Sequence, residues 1–480
     1  MSVTYLPHPN SQYRGNPYIE ALGLPLDKKS FVRKVNQTKT PELDLSGVPE
    51  SLHDYYTRSA IDNIENIYVV RDEAYRLYDR VRRMIESSYQ HRNPLSPNYN
   101  RLLVAITRDK SDPIASTNVS RLGLPRSQSA FLCGLSGLGK STMVQTILDQ
   151  IPQFLDHSSY VDESGTEHRL NVQQITYIYT EVYHRRSSKD FLKQILATID
   201  ETTGNNYTHE YRNENATVLI ARIRKLIIIH GIGLIVVDEC QNLSKHRPTD
   251  EIRTNERVSM EFLEELFNSI GVAMFFIGTH AMISLLSDRI TTARRASKSG
   301  SEIMETCKVD SSFWNRFIMA VCPLQYMKKQ KTDIDTISRH VHNLSCGIPA
   351  IASSLVRSTM AYLTFLEPKN QDLSMAALDK IFSEEFRVLK PALKALKKGH
   401  YHQFDDLNPM AMLESIDKNS ERMDRIAAIA SNVLSPSDGG NKNPDQLSLP
   451  KGSAKRDKQP DELSLGKLMT TLGHDIEGTS

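Results

Sequence analysis

Short apolar runs alternate with amphipathic segments over residues 116–328 of the chain. Five runs have the length and apolar content of buried strands, at 130–133, 175–179, 234–237, 273–277 and 318–321. The segments between them, such as 190–199 and 217–229, carry apolar residues at the spacing of amphipathic helices. Strands that alternate with helices predict an α/β fold, with a five-stranded parallel sheet covered by helices on both faces.

Residues 329–400 show helical periodicity alone. One stripe runs through Ile334, Ile337, Val341 and Leu344, a second helix is predicted for 348–366, and Ser374 is a predicted N-cap of a third helix that reaches Phe382. This pattern predicts a small helical lid after the sheet.

The two ends of the chain differ from this centre. Residues 1–115 mix prolines, tyrosines and basic residues with one amphipathic helix at 74–85, which predicts an extended N-terminal region packed on something else. A C-terminal helical segment is expected at 401–434. Residues 435–480 contain too few apolar residues for a core and are expected to be disordered, with two short motifs, DQLSL and DELSL, suited to binding a partner.

Composition narrows the possible classes of protein. The 480 residues are 39% hydrophobic, and 59 basic and 57 acidic residues leave a net charge of +2, so any nucleic-acid site must be a local patch. The five cysteines form no C-x-x-C pair, from which we expect a reducing cytoplasm, no zinc and no disulfides. The N-terminus has no signal-peptide core, and the longest apolar run, 226–237, is broken by His230, Gly231 and Gly233, so no membrane span is expected.

The stretch CGLSGLGKST at 133–142 matches the phosphate-binding pattern G-x4-G-K-[ST] and stands between a predicted strand and a predicted helix. Glycines in such a loop turn backbone N–H groups towards phosphates, and the helix N-terminus adds partial positive charge. Lys140 is expected to reach the β- and γ-phosphates of ATP, and the Ser141 hydroxyl to bind Mg²⁺. We assign nucleotide binding to Gly134, Leu135, Ser136, Gly137, Leu138, Gly139, Lys140, Ser141 and Thr142.

Two carboxylates end the predicted strand at 234–237. Asp238 is placed to hold Mg²⁺ with Ser141, and Glu239 to polarise a water molecule for attack on the γ-phosphate. The alternative is that the pair only caps the strand in solvent. A kinase of small molecules needs no second carboxylate to activate water, so the pair together with the phosphate loop favours an ATPase.

Thr279 follows the predicted strand 273–277 and is a candidate sensor of the γ-phosphate, although it is equally a common type of strand-end turn residue. Arg294 and Arg295 lie beyond the next helical segment. Such a pair is often a solvated surface, but in ring or filament ATPases an arginine at this point reaches into the neighbouring subunit's site and stabilises charge in the transition state. We therefore assign catalysis to Lys140, Glu239, Thr279, Arg294 and Arg295.

The order of phosphate loop, Asp-Glu strand, Thr-ended strand, arginine pair and helical lid resembles that of the AAA+ ATPases. Within them, the chain resembles the TnsC/TniB family of transposition regulators over roughly residues 13–400. The specific stretches are YRGNPYIEAL at 13–22, MIESSYQHRNP at 84–94 and GLIVVDECQNLS at 233–244. Further matches are FFIGTH at 275–280, ARR at 293–295 and LKPALKAL at 389–396.

The resemblance implies an AAA+ P-loop ATPase of the bacterial cytoplasm, associated with the nucleoid, with ATP and Mg²⁺ as cofactors. It implies a homo-oligomer, as a ring or helical filament, that binds double-stranded DNA without sequence specificity. Its implied partners are transposase subunits and a target-selection protein of the TnsD/TniQ kind. The N-terminal extension is expected to contact a partner or the target selector. Hydrolysis of ATP would reset the assembly.

A basic loop is the candidate DNA contact. Arg185, Arg186 and Lys189 follow the second predicted strand of the sheet, where they would meet phosphates without reading bases, unless the loop is simply solvated. Lys245, His246 and Arg247 form a second basic patch.

One departure from the AAA+ pattern and two other functions stay open. Pro349 and Ala350 stand where many AAA+ proteins have an arginine that contacts the nucleotide, so none is assigned and Arg357 remains as an alternative. The other functions are an origin-recognition or helicase-loading ATPase, disfavoured because no winged-helix-like segment follows the lid, and a nucleotide-dependent signalling scaffold, disfavoured because no internal repeat is present.

Overall fold

The structure is a computed structural model that describes residues 3–39, 42–108, 128–183, 187–243, 262, 266, 271–282 and 299–399. All of these belong to one compact unit, Met1–Ile416. A second unit, Asp417–Ser480, lies outside the described residues. The segments predicted at 401–434 and 435–480 therefore lie outside them as well.

The strands form one parallel sheet and one hairpin. Their bounds are β1 Ser129–Gly134, β2 Phe154–Val161, β3 Glu167–Ile175, β4 Tyr177–Glu181, β5 Leu234–Asp238, β6 Ala273–Gly278 and β7 Ser301–Met304. The order in the five-stranded sheet is β4-β5-β6-β1-β7, and every neighbouring pair in it is parallel. The predicted five-stranded parallel sheet is confirmed.

The helices of the described residues surround this sheet and form the lid. Their bounds are α1 Pro17–Glu20, α2 Lys28–Val35, α3 Glu50–Asp62, α4 Ala74–Tyr89, α5 Pro97–Arg108, α6 Lys140–Leu148, α7 Ser188–Thr203, α8 Tyr207–Glu210, α9 Ala216–Ile229, α10 Ser312–Val321, α11 Ile334–Ser345, α12 Pro349–Leu363, α13 Met375–Glu384 and α14 Lys390–Lys397. The N-cap predicted at Ser374 is present, since its side chain accepts a hydrogen bond from the backbone N–H of Ala377.

One of the five predicted strands is wrong. The run 318–321 is the end of helix α10, whose N-cap Ser311 accepts a hydrogen bond from the backbone N–H of Trp314. Four apolar residues in a row fit a strand or a buried helix equally, and here Met319 is 71% exposed while Ile318 and Val321 are buried on the helical face. The fifth strand is β7, a short edge strand in which only the last two residues, Ile303 and Met304, are apolar, so it gives no apolar run.

The sheet separates two hydrophobic cores because alternate side chains of a strand point to opposite faces. Leu234 and Val236 of β5 pack in the core that includes α4 and α6. Ile235 and Val237 pack in the other, which includes α7 and α9. The N-terminal helices α1, α2 and α4 contribute to the first core, so this region covers one face of the sheet.

The lid shares a core with α10, which precedes it in the chain. Helices α10, α11, α12 and α13 meet around the fully buried Trp314, with Ile61 and Ile64 from the N-terminal region among the buried members. The indole N–H of Trp314 donates to Ser338 Oγ at 3.1 Å. Helix α3 packs on α12, so the N-terminal region touches the lid as well as the sheet.

Residues near the N-terminus of the described chain form hydrogen bonds with the hairpin β2–β3. His157 is buried between Tyr5, whose hydroxyl lies 2.8 Å from Nδ1, and Gln174, whose Oε1 lies 2.8 Å from Nε2. The Tyr160 hydroxyl donates to Glu20 Oε2 at 2.7 Å. Among the described residues, no helix combines the length and the apolar character required to cross a membrane.

Candidate nucleotide-binding site

The phosphate loop connects β1 to α6. Gly137 and Gly139 have φ angles of 81° and 85°, in the left-handed region that favours glycine. Their conformation lets the chain curl tightly between the end of the strand and Lys140, the first residue of α6. The structure therefore brings together all nine residues predicted to bind nucleotide: Gly134, Leu135, Ser136, Gly137, Leu138, Gly139, Lys140, Ser141 and Thr142.

The Lys140 ammonium group is folded onto the loop itself. Its Nζ donates hydrogen bonds to the carbonyl oxygens of Gly134, at 2.9 Å, and Leu135, at 2.8 Å. The residue is only 9% exposed. The loop carbonyls thus satisfy a positive charge that would otherwise lie buried at the floor of the loop.

Asp238 ends β5 at the same edge of the sheet and is 3% exposed. Its Oδ2 accepts a hydrogen bond from the Tyr179 hydroxyl of β4, and its Oδ1 accepts the backbone N–H of Glu239 at 2.7 Å. These two donors fix the carboxylate plane. Burial and the interaction with Asp238 raise the pKa of Tyr179, so its hydroxyl stays a donor.

Glu239 stands beside it with an unusual backbone. Its φ angle is 56°, which few residues other than glycine adopt. Burial, and next the charge of Asp238, raise the pKa of the Glu239 carboxyl group above its ordinary value. Such a shift strengthens a carboxylate as a proton acceptor.

Thr279 follows β6 and is 6% exposed. Its backbone N–H donates to Gln241 Oε1 at 3.0 Å, and its Oγ1 is buried without a hydrogen-bond partner in the part of the chain that the structure describes. Gln241 in turn donates from Nε2 to Glu239 Oε2. Sequence reasoning missed Gln241, because no local pattern indicates a contact between β5 and β6 ends.

A cavity of about 460 Å³ opens beside the phosphate loop, and we call it the phosphate-loop cavity. The loop and Glu239 line one side of it, and α10 and the lid helix α12 line another. The N-terminal region lines a third side of the cavity with Glu65, Ile67, Tyr68, Val69 and Arg71. The sequence does not predict this part of the wall. Its volume lies within the range of small-molecule sites.

Arg357 of α12 also lines the cavity, and its Nη1 donates to Glu65 Oε2. The arginine is therefore at the position where a lid residue could meet a nucleotide. Pro349 and Ala350 begin the same helix, and the backbone N–H of Ala350 contacts the phosphate loop instead.

The site offers oxygen donors suited to Mg²⁺. The Ser141 hydroxyl, partly buried at the start of α6, and the Asp238 carboxylate are both hard oxygen ligands at the carboxyl edge of one parallel sheet. Each Asp238 oxygen accepts one hydrogen bond and keeps a further lone pair. The residues present therefore fit the metal.

Four predicted residues are not placed. Arg185 and Arg186 of the basic loop, and Arg294 and Arg295 of the arginine pair, lie outside the described residues. The patch at 245–247 does so too. Lys189 is described: it is the second residue of α7, partly buried, after the N-cap Ser187.

A comparison with protein-family models supports an AAA-type fold for the part of the chain that holds this site. Residues 126–286 match the family model described as an AAA domain. That segment contains the phosphate loop, the Asp238–Glu239 pair and Thr279. The described core therefore has the fold of an AAA+ P-loop ATPase, as the order of its motifs predicted.

Among solved structures, the chain is similar to the ORC2 protein of Aeropyrum pernix in its ADPNP-ADP complexes, at 14% identity with a TM-score of 0.34, covering 62% of this chain and 74% of that one. For the Aeropyrum pernix ORC1 protein in complex with DNA, the identity is 16% and the TM-score is 0.33. The match covers 62% of this chain and 66% of that one. The chain is also similar to the RuvB Holliday junction branch migration motor of Thermotoga maritima, at 14% identity with a TM-score of 0.30, covering 62% of this chain and 76% of that one. No curated protein matches the chain significantly.

Proposed function

We propose that this chain is an ATP-hydrolysing, DNA-binding regulator of DNA transposition of the TnsC/TniB kind. Its subunits would oligomerise on target DNA with ATP bound and link a target-selection protein of the TnsD/TniQ kind to the transposase. Hydrolysis would then release the assembly. The observation that carries the ATPase part is the phosphate-loop cavity, in which the loop, the Glu239 carboxylate and the lid meet.

ATP binding follows from the chemistry of the loop. Lys140 would leave the carbonyls of Gly134 and Leu135 and pair with phosphate oxygens, which attract an ammonium group more strongly than neutral carbonyls do. The N-terminus of α6 would stabilise the same negative charge. Ser141 and Asp238 would hold Mg²⁺, which when bound neutralises charge on the phosphate oxygens.

Hydrolysis needs an acceptor for the proton of water. Glu239 supplies it, with a raised pKa and a place on the cavity wall. The Thr279 hydroxyl, buried and without a partner in the described residues, is suited to donate to a γ-phosphate oxygen. Arg294 or Arg295 of a neighbouring subunit would complete the site, which would make hydrolysis depend on assembly.

The transposition part rests on the stretches that carry the resemblance, and hydrogen bonds between these stretches support it. Arg92, only 1% exposed, donates from Nη1 to the carbonyl of Ile232 at 2.6 Å, directly before the GLIVVDECQNLS stretch. Asn93 donates from Nδ2 to the carbonyl of Gly15 at 2.9 Å, in the YRGNPYIEAL stretch. These hydrogen bonds connect the stretch at 84–94 to the stretch at 13–22 and to the residue just before the stretch at 233–244. Their proximity in the fold supports reading the three stretches as one family signature.

Electron microscopy of the purified chain with duplex DNA, Mg²⁺ and a non-hydrolysable ATP analogue tests the proposal. We expect rings or filaments on DNA that require the analogue. Lys140→Ala, prepared in parallel, should form none because it cannot retain nucleotide. Isolated monomers of the wild-type chain under these conditions would contradict the proposal.

A pull-down distinguishes a transposition regulator from a helicase loader. The wild-type assembly should retain transposase subunits, and a chain lacking 435–480 should assemble on DNA yet lose that capture, because the LSL motifs of the tail would bind weakly and many tails would act together. An assembly that binds DNA but never transposase subunits would favour the loader. Equal capture by both chains would show that the tail is inert.

A further inference from the structure

Gln241 connects the two carboxyl-terminal strand ends of the site. It lies in the 3-10 turn Cys240–Leu243 that directly follows Glu239, and it is 5% exposed. Its amide group uses both ends: Nε2 donates to Glu239 Oε2, and Oε1 accepts the backbone N–H of Thr279 at 3.0 Å. One side chain thus spans from the carboxylate after β5 to the residue after β6.

The chemistry of the partners fixes the orientation of this amide. The backbone N–H of Thr279 can only donate, so it must face the amide oxygen. A Glu239 carboxylate can only accept, so it must face the amide nitrogen. The reversed amide would place two donors together on one side and two acceptors on the other.

Gly278 makes room for this arrangement. A Cβ atom on Gly278 would lie 2.9 Å from Gln241 Oε1 and 3.2 Å from Met282 Sδ. Any side chain at that position would push the amide away from Thr279. Residue 278 belongs to β6 and pairs with Cys133 of β1, so it cannot shift without disturbing the strand that leads into the phosphate loop.

We propose that Gln241 is a positioning residue for ATP hydrolysis, which couples Thr279 to the carboxylate of Glu239. This assignment rests on the proposed ATPase function. Glu239 follows the last residue of β5 with a positive φ, and the hydrogen bond from the Gln241 amide orients its carboxylate. Contact of a γ-phosphate with Thr279 is then relayed through one rigid amide to the group that accepts the proton of water.

Two variants with different chemistry test the role. Gln241→Met keeps the length of the side chain and removes both hydrogen bonds. Gln241→Glu keeps the acceptor for Thr279 and replaces the donor by a carboxylate that repels Glu239. We expect each to lower kcat by about tenfold or more while the KM for ATP and the Kd for a non-hydrolysable analogue change by less than about threefold.

Asn242→Ala is the matched control. Its side chain, in the same turn, donates from Nδ2 to the carbonyl of Val182 at 2.7 Å, away from Glu239 and Thr279. We expect this variant to keep kcat within about threefold of the wild type. We also expect Gln241→Met to cost less on a Thr279→Ala background than alone, because residues that act as a unit are not additive.

The possible outcomes distinguish a failure of the positioning role of Gln241 from a failure of the proposed ATPase function. A wild type that hydrolyses ATP with an unchanged kcat in Gln241→Met overturns the positioning role alone. An equal loss of analogue affinity and of kcat, together with a lowered melting temperature, also overturns it, because it would indicate a structural role. A wild type that binds the analogue but never hydrolyses ATP overturns the proposed function and this assignment with it.

Discussion

The backbone N–H of Ala350 donates a hydrogen bond to the carbonyl oxygen of Gly137, at 3.1 Å. The first turn of lid helix α12 is thereby attached to the middle of the phosphate loop. We therefore expect a change in the loop on phosphate binding to be transmitted to the lid through this hydrogen bond.

Gly137→Ala should disturb this junction more than Gly139→Ala. Both residues have positive φ, so both substitutions strain the backbone by about 1–2 kcal/mol. A Cβ atom at 137 would additionally lie 3.0 Å from Ile348 Cγ2 and 3.2 Å from Ala350 Cβ, whereas one at 139 would have no atom within 4 Å. We expect the nucleotide-free Gly137→Ala protein to melt at the lower temperature of the two. Equal melting temperatures would show that the lid contact adds nothing.

Glu65→Gln should tighten nucleotide binding. Glu65 is now the partner of Arg357 at the cavity wall, and an anionic phosphate would compete with it for the same guanidinium group. Removing the charge of Glu65 frees the arginine, whereas Arg357→Ala should weaken binding. Calorimetric titration with an ATP analogue measures both. Glu367→Gln, at an exposed pair with Lys369, is the control and should leave the affinity unchanged.

Tyr179→Phe should raise the Mg²⁺ concentration needed for half-maximal ATP hydrolysis. The hydroxyl is one of the two donors that hold the Asp238 carboxylate, and a hydrogen bond to a charged group contributes about 1.5–3 kcal/mol. Tyr177→Phe removes a hydroxyl two residues earlier on the same strand and serves as the control. The same Mg²⁺ dependence in both variants would contradict the role of Tyr179.

Acid should loosen the N-terminal segment from the hairpin through His157. Burial lowers the pKa of this imidazole below its ordinary value of 6.5, although Gln174 and Asp156 act in the opposite direction. The folded protein then binds a proton less readily than the unfolded chain, so this contribution to stability is full above pH 6.5 and is lost as the pH falls through the lower folded value.

His157→Gln removes the titrating group and keeps a polar side chain in its place. Between pH 8 and pH 5 we expect the melting temperature of the wild type to fall more steeply than that of His157→Gln. Thermal unfolding followed by circular dichroism in matched buffers measures the two slopes. Parallel slopes would assign the acid sensitivity to other groups.

The sequence predicted the parts of the fold that repeat a simple pattern. Strands β1, β5 and β6 are buried on both faces and therefore appear as continuous apolar runs. Strand β7 and the hairpin β2–β3 mix exposed and partly buried positions with a few buried ones, so they leave no such run. The run 318–321 was misread because four residues do not distinguish a strand from the end of a helix.

In the site, too, the features with a local sequence pattern were predicted and those without one were not. The phosphate loop and Asp238–Glu239 were predicted because their residues are adjacent in sequence. Gln241, Tyr179 and the N-terminal wall around Tyr68 and Val69 act only through tertiary contacts, for which a single sequence has no local signal. The roles of Arg294 and Arg295, which depend on a second subunit, stay predictions.

The most direct test of the central claim is to measure ATP binding and phosphate release on the same preparations of the wild type, Lys140→Ala and Glu239→Gln. We predict that the wild type binds and hydrolyses ATP in the presence of Mg²⁺ and DNA. Glu239→Gln should bind ATP and assemble on DNA but hydrolyse poorly, since the loop and Asp238 are intact while the proton acceptor is lost. Lys140→Ala should lose binding and assembly together. Hydrolysis by Glu239→Gln at the wild-type rate, or full ATP binding by Lys140→Ala, would contradict the account.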